Sequence, residues 1–203
     1  MTESAGATSA PAPLKITCSS RDCPNNLHYF RSRQATMVTE QGGSGSVCVE
    51  CGADLVDWAR VYQRNARDVE YTFKALKFEL IRHHYWHKPI DQQAVNHALR
   101  KGRVLLREAL ENRLGKYVGP AHPPFDRRQT PREGQVVFYA QHATAACCRV
   151  CIEEWHGIEQ GRLLTTSELT YLGDLAWRYI EERMPDLPAG PTYVPPIRKP
   201  KPL

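Results

Sequence analysis

The chain has 203 residues, which is enough for one sizeable domain or for one domain with a small appended unit. Its net charge of +5 permits a polyanionic partner without demanding one. No apolar run approaches the roughly 20 residues of a membrane-spanning helix, so we expect no membrane partner. Residues 1–13 have neither a basic start nor an apolar core, so no secretory signal is predicted.

The seven cysteines fall into two close pairs and one cluster. They stand at Cys18, Cys23, Cys48, Cys51, Cys147, Cys148 and Cys151. An odd number of cysteines at such short spacings suits reduced thiolates on a metal better than a framework of disulfides. We therefore expect a cytoplasmic protein.

The two cysteine pairs near the N-terminus have the spacing of a small zinc module. Cys18 is followed by Cys23, and after a long insert Cys48 is followed by Cys51 and Gly52. Short-spaced pairs separated by a hairpin-sized insert are typical of a four-cysteine zinc ribbon or treble clef. Glycine tolerates the positive φ that such a tight knuckle needs. We predict a closed structural zinc site here, with four free cysteines in a small core as the alternative.

The insert between the pairs is expected to supply a β-hairpin. Residues 27–31 and 35–38 have the composition of short strands, and residues 41–46 have that of a flexible tip. The zinc module would span residues 15–56, after a disordered tail of small residues and proline at positions 1–14.

A long helical run opens at Asp57 and is predicted to continue to about His87. Asp91 is placed to cap a second helix over residues 92–114. Residues 57–115 contain twelve Lys and Arg against seven Asp and Glu, an excess equal to the net charge of the whole chain.

The excess of basic residues predicts a face for nucleic-acid phosphates. The candidate contacts are Arg60, Arg64, Arg67, Lys74, Arg100, Lys101, Arg103, Arg127 and Arg128. The first four recur at helical spacing, so they would share one face of an unbroken helix. The alternative is a solvated surface on which nearby acidic residues pair with these cations.

The segment before the main cluster changes character twice. Residues 115–134 are rich in glycine, proline and charge, so regular structure is not expected there. Residues 135–140, Q-V-V-F-Y-A, are typical of a short buried strand that leads directly into the cluster.

Residues 141–158 concentrate the ligand types that zinc prefers. The candidates for a second site are His142, Cys147, Cys148, Cys151 and His156. Our first choice omits Cys147, which is kept as a substitute. Because a continuous helix would hold His156 about 12 Å from Cys148 along its axis, the helix is expected to break near Gly157. Cysteines packed as small hydrophobic residues and an iron–sulfur cluster are the alternatives.

An open coordination position would make this cluster a candidate active site. Glu153 and Glu154 would then be the general acid–base groups for a zinc-activated water. Zinc deaminases combine His-x-Glu with Pro-Cys-x-x-Cys, and the residues around His142 and the cysteines depart from that pattern. Whether the chain is an enzyme is left open.

Three runs in this half of the chain carry a resemblance. They are Q-T-P at 129–131, V-F-Y-A-Q-H-A-T-A-A-C-C-R-V-C at 137–151 and W-H-G-I at 155–158. The stretch from 113 to 184 resembles an uncharacterised bacterial and phage family of unknown function, with Ala146 where the family usually has Thr. The N-terminal cysteine pairs resemble an extension of some longer members. The resemblance implies that the cluster is one functional unit, and it implies no activity.

The C-terminal part is predicted to contain one more helix and a tail. Thr165 and Glu168 have the spacing of a capping box, and Pro185 would end the helix that follows. Residues 185–203 are rich in proline and basic, so we expect extended, largely disordered chain that could bind a protein partner.

These observations predict a mainly α fold with a small β-containing zinc-ribbon or treble-clef module at the N-terminus. The helical domain would span residues 57–184 and carry the His/Cys cluster. The predicted function is zinc binding, with one ion expected and a second considered, in a nucleic-acid-binding or nucleic-acid-associated accessory protein. The alternatives are a metalloenzyme acting at the 142–156 cluster and a zinc-stabilised adaptor for protein partners.

Overall fold

The computed structural model describes residues 16–31, 46–125 and 127–196. Within these ranges the chain is mainly helical, as predicted. Its helices are α1 (Trp58–Tyr62), α2 (Val69–Leu76), α3 (Leu80–His87), α4 (Gln92–Tyr117), α5 (Val136–Ala143), α6 (Arg149–His156) and α7 (Thr166–Arg183). Short 3-10 turns at Cys23–Asn25 and Ala66–Asp68 precede α1 and α2. None of the helices in the described ranges combines the length and the apolar character that crossing a bilayer requires.

Strand structure in the described residues is limited to isolated bridges. The bridges join Asp22 to Leu27, His28 to Glu79, and Phe30 to Cys48. The described part of the N-terminal unit therefore does not form a β zinc ribbon. The strand predicted at 35–38, most of the tip at 41–46 and the tail at 1–14 lie outside the described residues.

The prediction of one helix from Asp57 to about His87 is wrong, because this stretch forms α1, α2 and α3. Asp57 does begin α1, and its carboxylate accepts the N–H of Arg60 at 3.0 Å. Arg64 then takes a left-handed backbone conformation (φ 51°), and the Asn65 side chain caps the following 3-10 turn. Separate elements therefore carry the basic residues predicted to share one face: Arg60, Arg64, Arg67 and Lys74.

Helix α4 is capped by Asp91, as predicted, through the N–H of Ala94 at 2.9 Å. The helix is broken at Gly102, whose φ of 67° lies in the left-handed region. The break frees two N–H groups, and the carbonyls of Pro188 and Ala189 accept them at 2.8 and 3.3 Å. The C-terminal segment, predicted to be largely disordered, thus lies against α4 as far as position 196, and residues 197–203 fall outside the described ranges.

Residues 135–140 were predicted to form a strand, and this prediction is wrong, because they begin α5. Every residue of α5 is buried, since the helix packs against α3, α4 and α7. A helix surrounded on all sides needs no polar face, so its sequence has no amphipathic period. A short apolar run of this kind cannot be assigned to a helix or a strand from periodicity alone.

Helix α6 follows α5 after a tight turn in which Ala145 has a φ of 56°. It starts at Arg149 and ends at His156, so Cys147 and Cys148 lie before the helix and Cys151 lies within it. Gly157 terminates it with a φ of 60°, which is the stop predicted at this position. The predicted capping box of α7 is formed by Thr165 and Glu168.

An aromatic cluster joins the N-terminal segment to the helical domain. The Phe30 ring lies 5.9 Å from that of Trp58 and 6.1 Å from that of Trp155, measured between centroids. The two tryptophan rings are 5.0 Å apart. All three side chains are buried, so the segment that carries the first cysteines packs directly on α1 and α6.

Candidate metal centres

The first candidate centre lies in the N-terminal unit. It is formed by Cys23, His28, Cys48 and Cys51, whose ligand atoms all lie within 4.8 Å of one another. The Sγ atoms of Cys23 and Cys48 are 3.7 Å apart, and Sγ of Cys51 is 3.4 Å from Nδ1 of His28. A tetrahedral zinc ion spaces two sulfurs about 3.8 Å apart, and a sulfur and a nitrogen about 3.6 Å apart. The four residues therefore match the coordination sphere of one such ion.

Two tight turns present the cysteines of this centre. Cys23 opens a 3-10 turn that Asn26 closes in the left-handed conformation (φ 59°). Cys48 starts a knuckle in which the N–H of Gly52 binds its carbonyl at 2.9 Å, and Gly52 has the predicted positive φ, 71°. Such turns direct backbone N–H groups towards sulfur, so they favour thiolates over thiols.

The imidazole of His28 is oriented for ligation. Its Nε2–H donates to Oδ1 of Asn26 at 3.0 Å, which leaves the lone pair of Nδ1 directed at the cysteines. A histidine that binds a metal through one nitrogen and a side-chain oxygen through the other is a common arrangement, because the second bond fixes the tautomer and the ring.

The thiols of this centre are already polarised. Burial raises the pKa of Cys48, but hydrogen bonds from the backbone at Cys51, Tyr29 and Glu50, and from His28, outweigh burial and lower the pKa to about 6. Burial and the neighbouring thiols raise the pKa of Cys23 to about 12. Cys48 thus carries thiolate character near neutral pH, and a bound cation would draw the remaining thiols towards the same state.

Cys18 was predicted to be the fourth ligand of this centre, and the structure does not place it there. His28 takes that position instead. His28 was predicted to lie in a strand, with no role as a ligand. The only signal for a ligand was that His28 lies five residues after Cys23. This spacing suits a metal site only because the 3-10 turn at Cys23–Asn25 reverses the chain between the two residues.

The second candidate centre is formed by Cys147, Cys148 and Cys151. Their sulfur atoms all lie within 4.8 Å of one another, and all three residues are buried. Ala145, in the left-handed conformation, turns the chain so that Cys147 and Cys148 precede the first residue of α6. Cys148 is the N-cap residue of that helix and has an extended backbone (φ −160°). Cys151 then meets them from the first turn of the helix.

A buried arginine lies against these sulfurs. Nη2 of Arg82 donates to Sγ of Cys151 at 3.1 Å, and Nη1 lies 3.7 Å from Sγ of Cys147. Its Nε donates to Glu79 at 2.9 Å, and Glu79 also accepts the indole N–H of Trp155 at 2.7 Å. Arg82 and Glu79 are about 1% exposed, so α3 places a full ion pair beside the cysteines.

The charge of Arg82 favours thiolates at this centre. Hydrogen bonds from Cys148 and Cys151 lower the pKa of Cys147 well below its ordinary value, and Arg82 acts in the same direction. The pKa of Cys148 is raised by its contacts with the other two cysteines. The positive charge of Arg82 therefore stabilises negative charge within this buried group of cysteines.

His156 was a first-choice ligand, and its contacts contradict that role. Its Nε2–H donates to the carbonyl of Thr144 at 2.9 Å, and Nδ1 accepts the hydroxyl of Tyr171 at 3.2 Å. Burial lowers the pKa of His156 to about 4, so the ring is neutral and both nitrogens are engaged. The helix does end beside His156, but the ring is directed at Tyr171 and Thr144.

His142 is close to the cysteines in the chain but is not part of the compact group. Its Nε2 faces the carbonyls of Thr130 at 3.3 Å and Pro131 at 3.2 Å, and its ring stacks on Tyr85. Nδ1 is buried and has no hydrogen-bond partner among the described residues. Burial lowers the pKa of His142 to about 4.

The proposed acid–base groups have contacts elsewhere. Glu153 accepts hydrogen bonds from the side chain and backbone of Gln160. Glu154 pairs with Arg31 at 3.1 Å, and burial raises its pKa to about 7. Both carboxylates thus bind residues outside the cysteine group.

Several cations of the predicted nucleic-acid face are engaged within the chain. Arg60 pairs with Asp68, and Arg103 pairs with Glu181 at 3.1 Å. Further contacts are those of Arg64 with Glu168 at 4.0 Å and of Arg100 with the carbonyls of Val194 and Pro195 at 3.2 Å. The remaining predicted residues are Arg67, Lys74, Arg127 and Arg128, which are exposed, and Lys101, which is half-buried.

One family model matches the chain over residues 70–181, and its description is a domain of unknown function, DUF4186. The match takes in Glu79, Arg82 and the three cysteines of the second centre, and it begins after the ligands of the first. No solved structure matches the chain. Because the matched region is more than half of the chain, the protein belongs to the DUF4186 family.

Proposed function

We propose that this protein binds two zinc ions, one in the N-terminal unit and one at the cysteines of the family domain. One observation carries the proposal: the separations of 3.7 and 3.4 Å among the first ligands are those that a single tetrahedral ion imposes. Chance proximity of a histidine to cysteines would not also explain why Asn26 fixes its tautomer.

The chemistry of the ligands favours zinc over other divalent ions. Three sulfurs and one imidazole nitrogen make a soft, four-coordinate set, whereas calcium and magnesium require six or more oxygens. A set of four protein ligands leaves no position for substrate, so the first ion would have a structural role. Zinc would also supply folding energy to a unit with little regular structure of its own.

The second centre supports the proposal through its burial and charge. Packing of cysteines as small apolar side chains would explain why the three are buried. It would not explain why a buried arginine donates to two of their sulfurs. A guanidinium in such a place stabilises thiolates, and thiolates are the form that binds zinc. Cys147, Cys148 and Cys151 would supply three of the ligands.

The metal content of purified protein tests this proposal. Mass spectrometry of the metals should find two zinc ions per chain in the wild type. Cys48→Ser should remove the first ion and keep the second, and Cys151→Ser should do the reverse, so that each variant is the control for the other. Protein that contains no zinc, or that holds iron instead, would refute the proposal.

Enzymatic and binding roles have less support. A metalloenzyme needs an open metal position beside an acid–base group, and Glu153 and Glu154 have their contacts elsewhere. A nucleic-acid role rests on exposed cations such as Arg67, Lys74 and Arg128, and it would show as salt-dependent binding. An adaptor role would use the proline-rich tail at residues 185–203, and it would show as a protein partner that is lost when this tail is deleted.

A further inference from the structure

We infer that Cys18 is the fourth ligand of the second zinc ion, so that Cys18, Cys147, Cys148 and Cys151 form one closed four-cysteine site. This inference rests on the proposed second zinc ion. It adds that the N-terminal segment, which lies outside the matched family region, completes the metal site of the family domain.

Contacts place Cys18 at the second centre. It is half-buried and packs against the core that contains the three cysteines. The Cys18 thiol makes a side-chain hydrogen bond with Cys151 and interacts with the charge of Arg82. Its sulfur lies just outside the compact group of Cys147, Cys148 and Cys151, so a bound ion would draw it in. Cys18 thus neighbours Cys151 and lies within the field of the buried guanidinium.

Two anchors hold the segment in this position. Nη1 of Arg132 donates to the carbonyl of Ile16 at 2.9 Å, which ties the chain to the loop in front of α5. A turn follows directly, in which the N–H of Ser20 binds the carbonyl of Thr17 at 3.1 Å and Thr17 N–H binds Oγ of Ser20 at 2.9 Å. Cys18 lies inside this turn, so its direction is set by the fold on both sides.

The path of the chain explains why Cys18 and Cys23 serve different ions. The bridge between Asp22 and Leu27 and the 3-10 turn at Cys23–Asn25 reverse the chain immediately after the Cys18 turn. Cys23 therefore meets Cys48, while Cys18 stays on the side of α3 and α6. The two ions would be linked by a few residues of backbone.

Coordination number and charge fit a fourth sulfur. Structural zinc takes four ligands, and the second centre otherwise offers three. Four thiolates on one Zn2+ leave two surplus negative charges, and the buried Arg82 offers hydrogen bonds and a positive charge to that group. His142 is the rival ligand, because its Nδ1 lacks a partner while Nε2 faces backbone carbonyls. The hydrogen bond of Cys18 with Cys151 favours the cysteine.

A closed site has a functional consequence. With four cysteine ligands the second ion has no position for water, so it would join the N-terminal segment to the helical domain and would not activate a nucleophile. A site with three cysteine ligands and an open position would instead be able to bind and activate water.

The test compares Cys18→Ser with Ser19→Ala, its exposed neighbour in the same segment, in the full-length protein. Zinc affinity is measured by competition with a chelator. Thiolate ligands are counted after replacement of zinc by cobalt(II), because each cobalt–thiolate bond adds charge-transfer absorption. Cys18→Ser should keep the first zinc and weaken the second by more than the roughly 10–100-fold that loss of an outer hydrogen-bond partner costs. Ser19→Ala should change neither.

A rescue variant guards against a trivial loss of folding. Cys18→His keeps a zinc ligand, so it should bind two metals, and its charge-transfer absorption should be lower than that of the wild type by the contribution of one cobalt–thiolate bond. Unchanged affinity and absorption in Cys18→Ser would overturn the inference, and a loss in His142→Gln instead would assign the fourth position to His142. If the wild type holds one zinc that Cys151→Ser leaves in place, the proposed second ion itself is wrong.

Discussion

Arg82 donates to the sulfur of Cys151 at 3.1 Å while its Nε binds the carboxylate of Glu79 at 2.9 Å. One guanidinium thus connects a buried acid on one side to a buried thiol group on the other. Neither partner has water to solvate it, so each depends on the arginine. Removal of the arginine alone would therefore leave both partners buried without a counter-charge.

Replacing Arg82 by methionine should destabilise the protein strongly. The variant leaves Glu79 buried without its cation, and breaking a buried pair from one side typically costs about 3–5 kcal/mol. Unfolding by urea measures the loss. The double variant Glu79→Gln, Arg82→Met removes both charges and should lose less than Arg82→Met alone. Equal losses would show that Glu79 does not depend on the arginine.

Removal of the Asn26 side chain should weaken the first zinc site. Asn26 has a φ of 59°, so Asn26→Gly keeps the backbone unstrained while it deletes the acceptor of the His28 ring. We expect zinc affinity at that site to fall by roughly 10–100-fold. Chelator competition gives the affinity. Asn26→Asp retains a side-chain oxygen and should bind nearly as the wild type does; a similar fall in both variants would contradict the role given to this bond.

A methyl group at Gly102 should be far more costly than one elsewhere in α4. An added Cβ would lie 2.3 Å from the carbonyl carbon of Gly190, and φ is 67°, so Gly102→Ala strains the backbone and pushes the C-terminal segment away. We expect a loss of at least about 2 kcal/mol.

Gly115→Ala in the same helix is the matched control for that substitution. An added Cβ at Gly115 meets nothing within 4 Å, and the change should raise stability by roughly 0.5–1 kcal/mol. Thermal or urea unfolding compares the two variants. If both substitutions change the free energy of unfolding in the same direction, the contact between Gly102 and Gly190 does not restrict the side chain at position 102.

The pH dependence of stability should include a contribution from His156. Burial lowers its pKa to about 4, below the ordinary value of 6.5, so the unfolded chain binds the proton first. The neutral ring therefore stabilises the fold above pH 6.5, and this stability is lost as the pH falls towards 4, by about 3 kcal/mol.

The free energy of unfolding is measured across that range, and the difference between wild type and variant gives this contribution, because protonation of the zinc ligands affects both proteins alike. His156→Gln removes the titrating ring, so its free energy of unfolding should fall less steeply than that of the wild type. His142 titrates in the same direction and leaves part of the slope in place. His122→Gln, at an exposed position, should keep the full slope; the same slope in His156→Gln would refute the assignment.

Local rules predicted the parts of this structure that depend on a few neighbouring residues. Asp57, Asp91 and the Thr165–Glu168 pair mark helix starts because their side chains satisfy N–H groups within three residues. Gly52 and Gly157 mark turns because they alone tolerate a positive φ cheaply. The break at Arg64 has no such signal, since the chain there adopts a left-handed conformation without glycine.

The composition of the metal centres could not be predicted in this way. Pairing Cys18 with Cys23 relies on sequence spacing, and the fold separates the two through a reversal at Cys23–Asn25 that spacing does not reveal. The prediction of a strand at residues 135–140 is wrong for a related reason, because burial on all sides removes the periodicity that would distinguish a helix. Arg82 and Glu79 were counted as ordinary charges, since burial depends on elements distant in the chain.

The contact of Phe30 with Trp58 and Trp155 bears on how this protein can be divided. A fragment cut to residues 70–181 would keep Trp155, which is now fully shielded, and would lose both of the rings that cover it. Such a fragment would expose the indole of Trp155 and the apolar side chains around it to solvent, and exposed apolar surface promotes aggregation. The limits of the matched family region therefore differ from the limits of a unit that folds by itself.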